Sequence, residues 1–259
     1  MISTNESYRA AALGRGGKRP DEVTVVRTGP DPDRLRRRDP DPAARRGHRH
    51  LAAYIGVMGP QDGVDVVLRA AAVVVHDLGR EDIGFTLIGS GDAFTELVAL
   101  SERLGLADHV HFTGRAPDEE VFRVLSTADV GLSPDPKNPL NDVSTMNKTM
   151  EYMAFELPVV AFDLVETRVS AGDAAVYVEP NVVEEYAKAI VALVDDESRR
   201  REMGAAGRAR VEEHLAWHHQ RAAYVGVYDR LVGRRGRAGA DGGPGPDAQL
   251  AAPTPDPQG

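Results

Sequence analysis

From residue 51 to residue 232, short apolar runs rich in β-branched side chains alternate with stretches of helical periodicity. The pattern predicts strands at Ala53–Met58, Gly84–Ile88, His109–Thr113, Asp129–Ser133, Pro158–Asp163 and Ala175–Val178. It predicts helices over 63–78, 93–104, 118–127, 144–155 and 182–195, followed by 197–213 and 217–232. Strands that are apolar throughout and separated by helices are covered on both faces. The expected class is α/β, with one doubly wound, Rossmann-like parallel sheet over 51–232.

The flanks read differently. Glu22–Thr28 has strand character and follows a short helical stretch, Glu6–Leu13. A lone strand needs a sheet, so residues 1–28 read as the remnant of an N-terminal unit. Residues 29–50 hold four Pro and seven Arg and read as a linker. Residues 233–259 hold seven Gly, five Pro and almost no large apolar side chain. Such a segment buries too little surface to offset its ordering entropy, and a disordered tail is expected there.

Charge sharpens the picture. The net −9 divides into +5 over residues 1–50 and −14 over 51–232. An acidic domain is a poor binder of nucleic acid, which needs clustered cations, so any phosphate must be held locally. The chain has no cysteine, which excludes a disulfide framework, a thiolate zinc site and a cysteine nucleophile. No apolar run approaches the ~20 residues of a membrane span, and the first ten residues lack a signal-peptide pattern.

In an open parallel sheet, ligands bind beyond the carboxyl ends of the strands. Gly59-Pro60-Gln61-Asp62-Gly63 follows the first strand but matches neither the dinucleotide nor the P-loop pattern. Gly89-Ser90-Gly91-Asp92 lets backbone amides approach an anion, although a tight turn with Asp92 as N-cap explains it equally. Arg115, after Gly114, is a cation at a strand's carboxyl end or plain solvated surface. Lys137-Asn138-Pro139-Leu140-Asn141-Asp142 leads into the predicted helix 144–155, where Ser144, Asn147, Lys148 and Glu151 share one face. That face either holds a phosphate and ribose or is an exposed Lys148–Glu151 pair contributing about 0.2–0.5 kcal/mol. Met146, Met150 and Met153, on the opposite side, read as core. Asp31-Pro32-Asp33 and Asp39-Pro40-Asp41 spell a metal-diphosphate motif, but no strand leads into them. His214, His218 and His219 lack the spacing of a zinc set.

The stretch Asn147-Lys148-Thr149-Met150-Glu151-Tyr152-Met153-Ala154, followed by Pro158-Val159-Val160-Ala161, resembles family 4 of the retaining glycosyltransferases. Tyr54-Ile55-Gly56, Ile88-Gly89-Ser90-Gly91, Phe112-Thr113-Gly114, Ala128-Asp129-Val130 and Leu215-Ala216-Trp217 extend the resemblance over about 51–232. It implies the C-terminal, donor-binding half of the GT-B fold. The implied reaction transfers a sugar from a nucleoside diphosphate with retention, without a metal, in bacterial polysaccharide or glycolipid assembly. Glu151 matches the second carboxylate of the family's paired-glutamate motif, which contacts the ribose. The first falls on Val143, with Asp142 one residue away. The Gly89–Gly91 loop and the amides opening the Ser144 helix match the diphosphate-binding elements, and Gly114 with Arg115 the region that accepts the base.

The family's usual phosphate-binding Arg and Lys fall on Val57 and Asp62, so Lys148, supported by Arg115 or Lys137, is the expected replacement. Donor-binding candidates are therefore Gly56, Gly89, Ser90, Gly91, Arg115, Lys137, Asn141, Ser144, Thr145, Asn147, Lys148 and Glu151, with Asp142 and Glu151 as catalytic carboxylates. The expected partners are a nucleotide sugar and a separate acceptor-binding domain or protein, and this chain alone is expected to bind without transferring. The expected location is cytoplasmic, peripheral to the inner membrane face where the acceptor is a lipid. The rival readings are a non-catalytic nucleotide-sugar-binding subunit and a degenerate remnant. A nucleotide-sugar epimerase would share the fold, but the helix motif reads as a transferase's.

Overall fold

The computed structural model describes residues 1–233. Strand β1 (Ile2–Ser3), helix α1 (Glu6–Gly14) and strand β2 (Thr24–Val25) form a small parallel β-α-β unit, with Ile2 opposite Thr24. Asn5 caps α1 by accepting a hydrogen bond from the Tyr8 amide at 2.7 Å. The lone strand expected in this region thus finds its partner in two residues at the chain start, too few to show a period.

The Pro/Arg-rich segment runs along the following domain as a strap and is anchored to it. The Arg38 amide donates to Ser126 Oγ, Arg123 pairs with Asp41 at 3.0 Å, and Arg45 pairs with Asp129 at 2.5 Å. Of the second Asp-Pro-Asp triplet, Asp41 is used locally: it also accepts from the Ala43 amide.

The main domain then alternates strand and helix: β3 (His50–Ile55), α2 (Val64–Ala72), β4 (Ile83–Ile88), α3 (Phe94–Arg103), β5 (Val110–Gly114) and α4 (Asp118–Thr127). It continues with β6 (Val130–Ser133), α5 (Asn147–Ala154), β7 (Val159–Phe162), α6 (Val165–Ala171) and β8 (Ala175–Val178). Helices α7 (Val183–Asp195), α8 (Glu197–Arg210) and α9 (Trp217–Leu231) close it. The six strands are parallel in the order β5-β4-β3-β6-β7-β8. The chain winds outward from β3 to β5, then returns to lay β6 beside β3, and this reversal is the topological switch point.

Alternation along β3 divides the core. Ala52 and Tyr54 face a cluster with α2, α3 and α7, whereas Leu51, Ala53 and Ile55 face α4 and α5. Met150 and Met153 are buried in a third cluster with Val169, Val211 and Leu215, and Met146 packs at the edge of the first. The methionine stripe is therefore core.

Four expectations shift. The first strand spans His50–Ile55 rather than Ala53–Met58: its pairing with β4 ends at Ile55 opposite Ile88, and Val57 and Met58 lie beyond it. The predicted helix over 63–78 ends as an α-helix at Ala72 and continues as one π turn to Asp77. Helix α5 opens at Asn147, not Ser144, because Asn141–Val143 form a 3₁₀ turn that leaves Ser144 extended. Helix α6 was not expected, since seven residues give too short a period to detect. Residues 234–259, most of the expected disordered tail, lie outside the described residues.

Candidate functional site

At the carboxyl ends of β3 and β4 lies a cavity of about 550 Å³, and the predicted residues Gly56, Gly89, Ser90, Arg115 and Glu151 all line it. Its other lining residues are Arg34, Leu35, Ile55, Val57, Ile88, Ala116, Asp118, Val121 and Phe122.

Glu151 is positioned through its neighbour Tyr152. The Tyr152 hydroxyl donates to Leu132 O at 3.0 Å and accepts from the Ile55 amide at 2.9 Å, tying α5 to the ends of both β6 and β3. The ring fits because residue 131 is glycine: a Cβ there would lie 2.5 Å from it. Glu151 then reaches the cavity with a carboxylate that has no protein hydrogen bond or ion pair among the described residues. Burial pushes its pKa up, and the charges of Lys148 and Arg34 draw it partly back. An unpartnered acceptor in apolar surroundings suits the hydroxyl donors of a ligand.

The glycine loops supply donors. The amides of Gly56 and Gly89 are spent on Ile88 O and Gly114 O, which extends the sheet to the cavity floor. The amides of Ser90, Gly91 and Asp92 donate to no acceptor among the described residues. Consecutive unspent amides beside a strand end suit an anion.

The remaining predicted residues are committed elsewhere. Lys148 Nζ lies 2.5 Å from Asp135 Oδ1 and 5.6 Å from the centre of the Tyr54 ring. Asp135 is 2 % exposed and also accepts from Ser133 Oγ. The charge of Lys148 is thus largely answered from inside, which sequence spacing could not show. Asp62 turns inward to accept from the Gly59 amide, and burial raises its pKa.

Asn141 is buried and joins two loops by donating to Gln61 O and Pro136 O. Asp142 Oδ1 accepts from the Val165 amide at the start of α6, with Lys137 Nζ 3.7 Å away. Ser144 meets the Tyr8 hydroxyl, Thr145 accepts from Asn5 Nδ2, and Asn147 accepts from Thr28 Oγ1. None of these six lines the cavity, and nor do Lys148 and Gly91. The expected polar face of one helix is instead two groups, one at the cavity and one stitching the 141–147 loop to the N-terminal unit.

Sequence reasoning missed Arg34, Leu35, Asp118, Val121 and Phe122. Arg34 and Leu35 sit in the strap, where seven arginines without periodicity single out none. Val121 and Phe122 read as core on an amphipathic helix. Arg34 Nη2 pairs with Asp118 Oδ2 at the cavity mouth.

A family model described as "Glycosyl transferases group 1" matches residues 49–196. The chain is similar to the D-inositol 3-phosphate glycosyltransferase of Thermomonospora curvata, 32 % identical over 220 residues, covering 78 % of this chain and 50 % of that protein. It is also similar to the GDP-mannose-dependent alpha-(1-6)-phosphatidylinositol monomannoside mannosyltransferase of Mycobacterium tuberculosis. There the identity is 28 % over 229 residues, covering 84 % of this chain and 57 % of that protein. The chain spans about half the length of the curated relatives it matches. In fold it matches the crystal structure of a glycosyltransferase from Rickettsia africae, with a TM-score of 0.74, 15 % identity, and coverage of 90 % of this chain and 64 % of that one. No described helix is long and apolar enough to cross a membrane.

Proposed function

Because this chain belongs to the group 1 glycosyl transferases, of GT-B fold, we propose that residues 51–232 hold the nucleoside diphosphate sugar of a retaining sugar transfer. The observation that supports this most directly is the presence of an unpartnered carboxylate, Glu151, and of Ser90, the first of three consecutive residues with unspent amides, in the lining of one cavity. On this reading Glu151 accepts hydrogen bonds from the ribose hydroxyls. The amides of Ser90–Asp92, together with the N-terminus of α5, receive the diphosphate. Lys148 is the cation beside it, with Asp135 fixing its direction. Asp142 has one oxygen left after serving the Val165 amide, and that oxygen is assigned to the sugar. The departing diphosphate is stabilised by oriented dipoles and this cation, with no metal in the scheme.

Residues 1–28 are read as the edge of an acceptor-side unit and 29–50 as the linker. The acceptor is brought across the cleft by such a unit, in this polypeptide or in a separate protein. One relative's name specifies a GDP-mannose donor and a phosphatidylinositol mannoside acceptor. We extend glycolipid assembly, with peripheral contact at the inner membrane face, to this chain on that likeness.

Titration calorimetry with uridine and guanosine diphosphates tests the reading. Glu151→Ala is expected to weaken binding of the preferred nucleotide by about tenfold or more. The pH dependence has a definite sign: an ionised carboxylate is the better acceptor, and burial raises the Glu151 pKa. Affinity should therefore be full at high pH and fall as pH drops through that raised value, on the high side of the ordinary glutamate value. Glu151→Gln should remove this step while leaving the step due to phosphate protonation. A second arm exchanges the buried pair together, Lys148→Met with Asp135→Asn, so that no charge is stranded. Unchanged affinity there would remove Lys148 from the scheme, and no binding of either nucleotide by the native chain would reject the reading.

A further inference from the structure

A second cavity, of about 440 Å³, opens at the opposite end of the sheet, beside the amino ends of β4 and β5. A volume of that order suits a small-molecule ligand. Arg45, Arg46, His48, His109 and His111 line it, against one acid, Asp108. His109 and His111 stand two positions apart at the start of edge strand β5, so both project to one face. On β4, Thr86 lies opposite His111, and at Gly84 a Cβ would come within 2.7 Å of His48 Nδ1, so glycine admits that ring. The strap, anchored at Asp41 and Arg45, supplies His48 and Arg46. Arg46 holds a left-handed backbone, φ 53°, and its exposed guanidinium has no ion pair among the described residues.

The histidines form a proton chain with one direction. Arg45 O can only accept, so His48 Nδ1, 3.3 Å away, carries a proton. His48 Nε2 then accepts from His109 Nδ1, also at 3.3 Å. His109 Nε2 has no partner among the described residues, and a proton gained there makes it a donor without breaking the chain. The charged groups facing the rings are Arg45 and Arg46 from the strap, Asp108 before β5, and Glu120 and Arg123 from α4. Arg45, Glu120 and Arg123 are already paired, which leaves Arg46 and Asp108 to offset each other while the rings are neutral. Burial, then the charge of Arg46, hold the His111 pKa down. An anion in the cavity reverses that balance and favours the charged rings.

We propose that this cavity is a proton-coupled site for a phosphate-class anion, held by Arg46, His109 and His111 and separate from the donor site. A tetrahedral dianion presents several acceptor oxygens to donors converging from the strap and from β5. A metal ion would meet Arg46, and among the described residues no three of His, Asp or Glu are placed to hold one. The inference does not depend on the donor-binding reading, and its test reads a different part of the molecule.

That test is the NMR ring signals of the full chain labelled at histidine, since no histidine lines the donor cavity. Sulfate is the first probe, because its charge is constant over about pH 5–8 and any pH dependence then belongs to the protein. At constant ionic strength, sulfate is expected to move the His109 and His111 signals saturably, with His214, His218 and His219 as internal references. Its affinity should rise about tenfold between about pH 8 and pH 6, as the rings take up protons. Arg46→Asn suits the left-handed backbone, so the fold is retained, and it should weaken sulfate binding about tenfold. Orthophosphate, inorganic diphosphate and glycerol phosphate, titrated in turn, distinguish a free phosphate, a diphosphate and the phosphate end of a larger molecule. Equal shifts with acetate would reduce the effect to charge screening and overturn the proposal. So would the absence of a saturable shift, an affinity independent of pH, or native affinity in Arg46→Asn. Shifts produced by zinc but not by sulfate would replace the anion site with a metal site.

Discussion

Gly89→Ala is expected to be among the most damaging single substitutions in this domain. Gly89 has φ 136°, where L side chains are strained, and a Cβ there would lie 1.8 Å from Gly56 O. The two loops cannot separate to relieve the clash, because the Gly89 amide is bonded to Gly114 O and the Gly56 amide to Ile88 O. The contact is backbone against backbone, with no flexible side chain to give way. The expected cost is about 3 kcal/mol or more, from backbone strain plus the broken sheet extension. Denaturant unfolding measures it, and Gly79→Ala separates the two components. Gly79 also has a positive φ, 65°, but nothing lies within 4 Å of its Cβ position, so that variant reports conformational strain alone. Equal losses from the two variants would show that the loop contact contributes nothing.

The second large effect is expected at Arg27. Its guanidinium lies 3.4 Å from Glu166, and both side chains are 2 % exposed. Glu166 also accepts from Ser7 Oγ, and the Arg27 amide donates to Gln220. Arg27→Ala leaves a carboxylate in the interior with one hydroxyl for company, which is expected to cost about 3–5 kcal/mol. Removing both charges, Arg27→Met with Glu166→Gln, should cost much less. The pair already leaves Arg27 Nε without an acceptor, so the native arrangement is itself imperfect. The loss should appear first as faster amide hydrogen exchange over residues 1–28, followed by the 143–147 loop. That order follows because Asn5 and Tyr8 hold Val143, Ser144 and Thr145 from the N-terminal side. An Arg27→Ala protein within about 1 kcal/mol of the native one would contradict this account.

The sheet was legible because its strands are apolar without interruption. Such runs have few alternatives once helical periods separate them, and the order of motifs identified the family. The boundaries were less legible for a physical reason. Tyr54-Ile55-Gly56-Val57-Met58 is apolar on both sides of the strand end, and only the pairing with β4, which ends at Ile55 opposite Ile88, shows where the ladder stops.

The site was half legible. Glu151, Gly56, Gly89, Ser90 and Arg115 lie together because their loops end neighbouring strands, which the alternation of elements already implied. Lys148 shared a helical face with Glu151, but Asp135, which pairs with it, lies thirteen positions earlier and was not part of that pattern. Ser144, Thr145 and Asn147 meet the N-terminal unit, and Asn141 and Asp142 neighbouring loops, rather than the cavity, since the helix starts at Asn147. Arg34 was hidden by its neighbours: in a segment with seven arginines, only tertiary position distinguishes the one that lines the cavity.

The tyrosine beside Glu151 has a consequence for the shape of the crevice. β3 and β6 pair over only two positions, Ala52 with Val130 and Ala53 with Gly131. Past them the strands part, and the Tyr152 hydroxyl occupies the place of the next rung, receiving the amide of Ile55 and donating to the carbonyl of Leu132. The opening between the two halves of the sheet is therefore gauged by a single phenol. Because Glu151 follows directly from that spacer, the width of the gap and the reach of the carboxylate are one dimension of the molecule, not two.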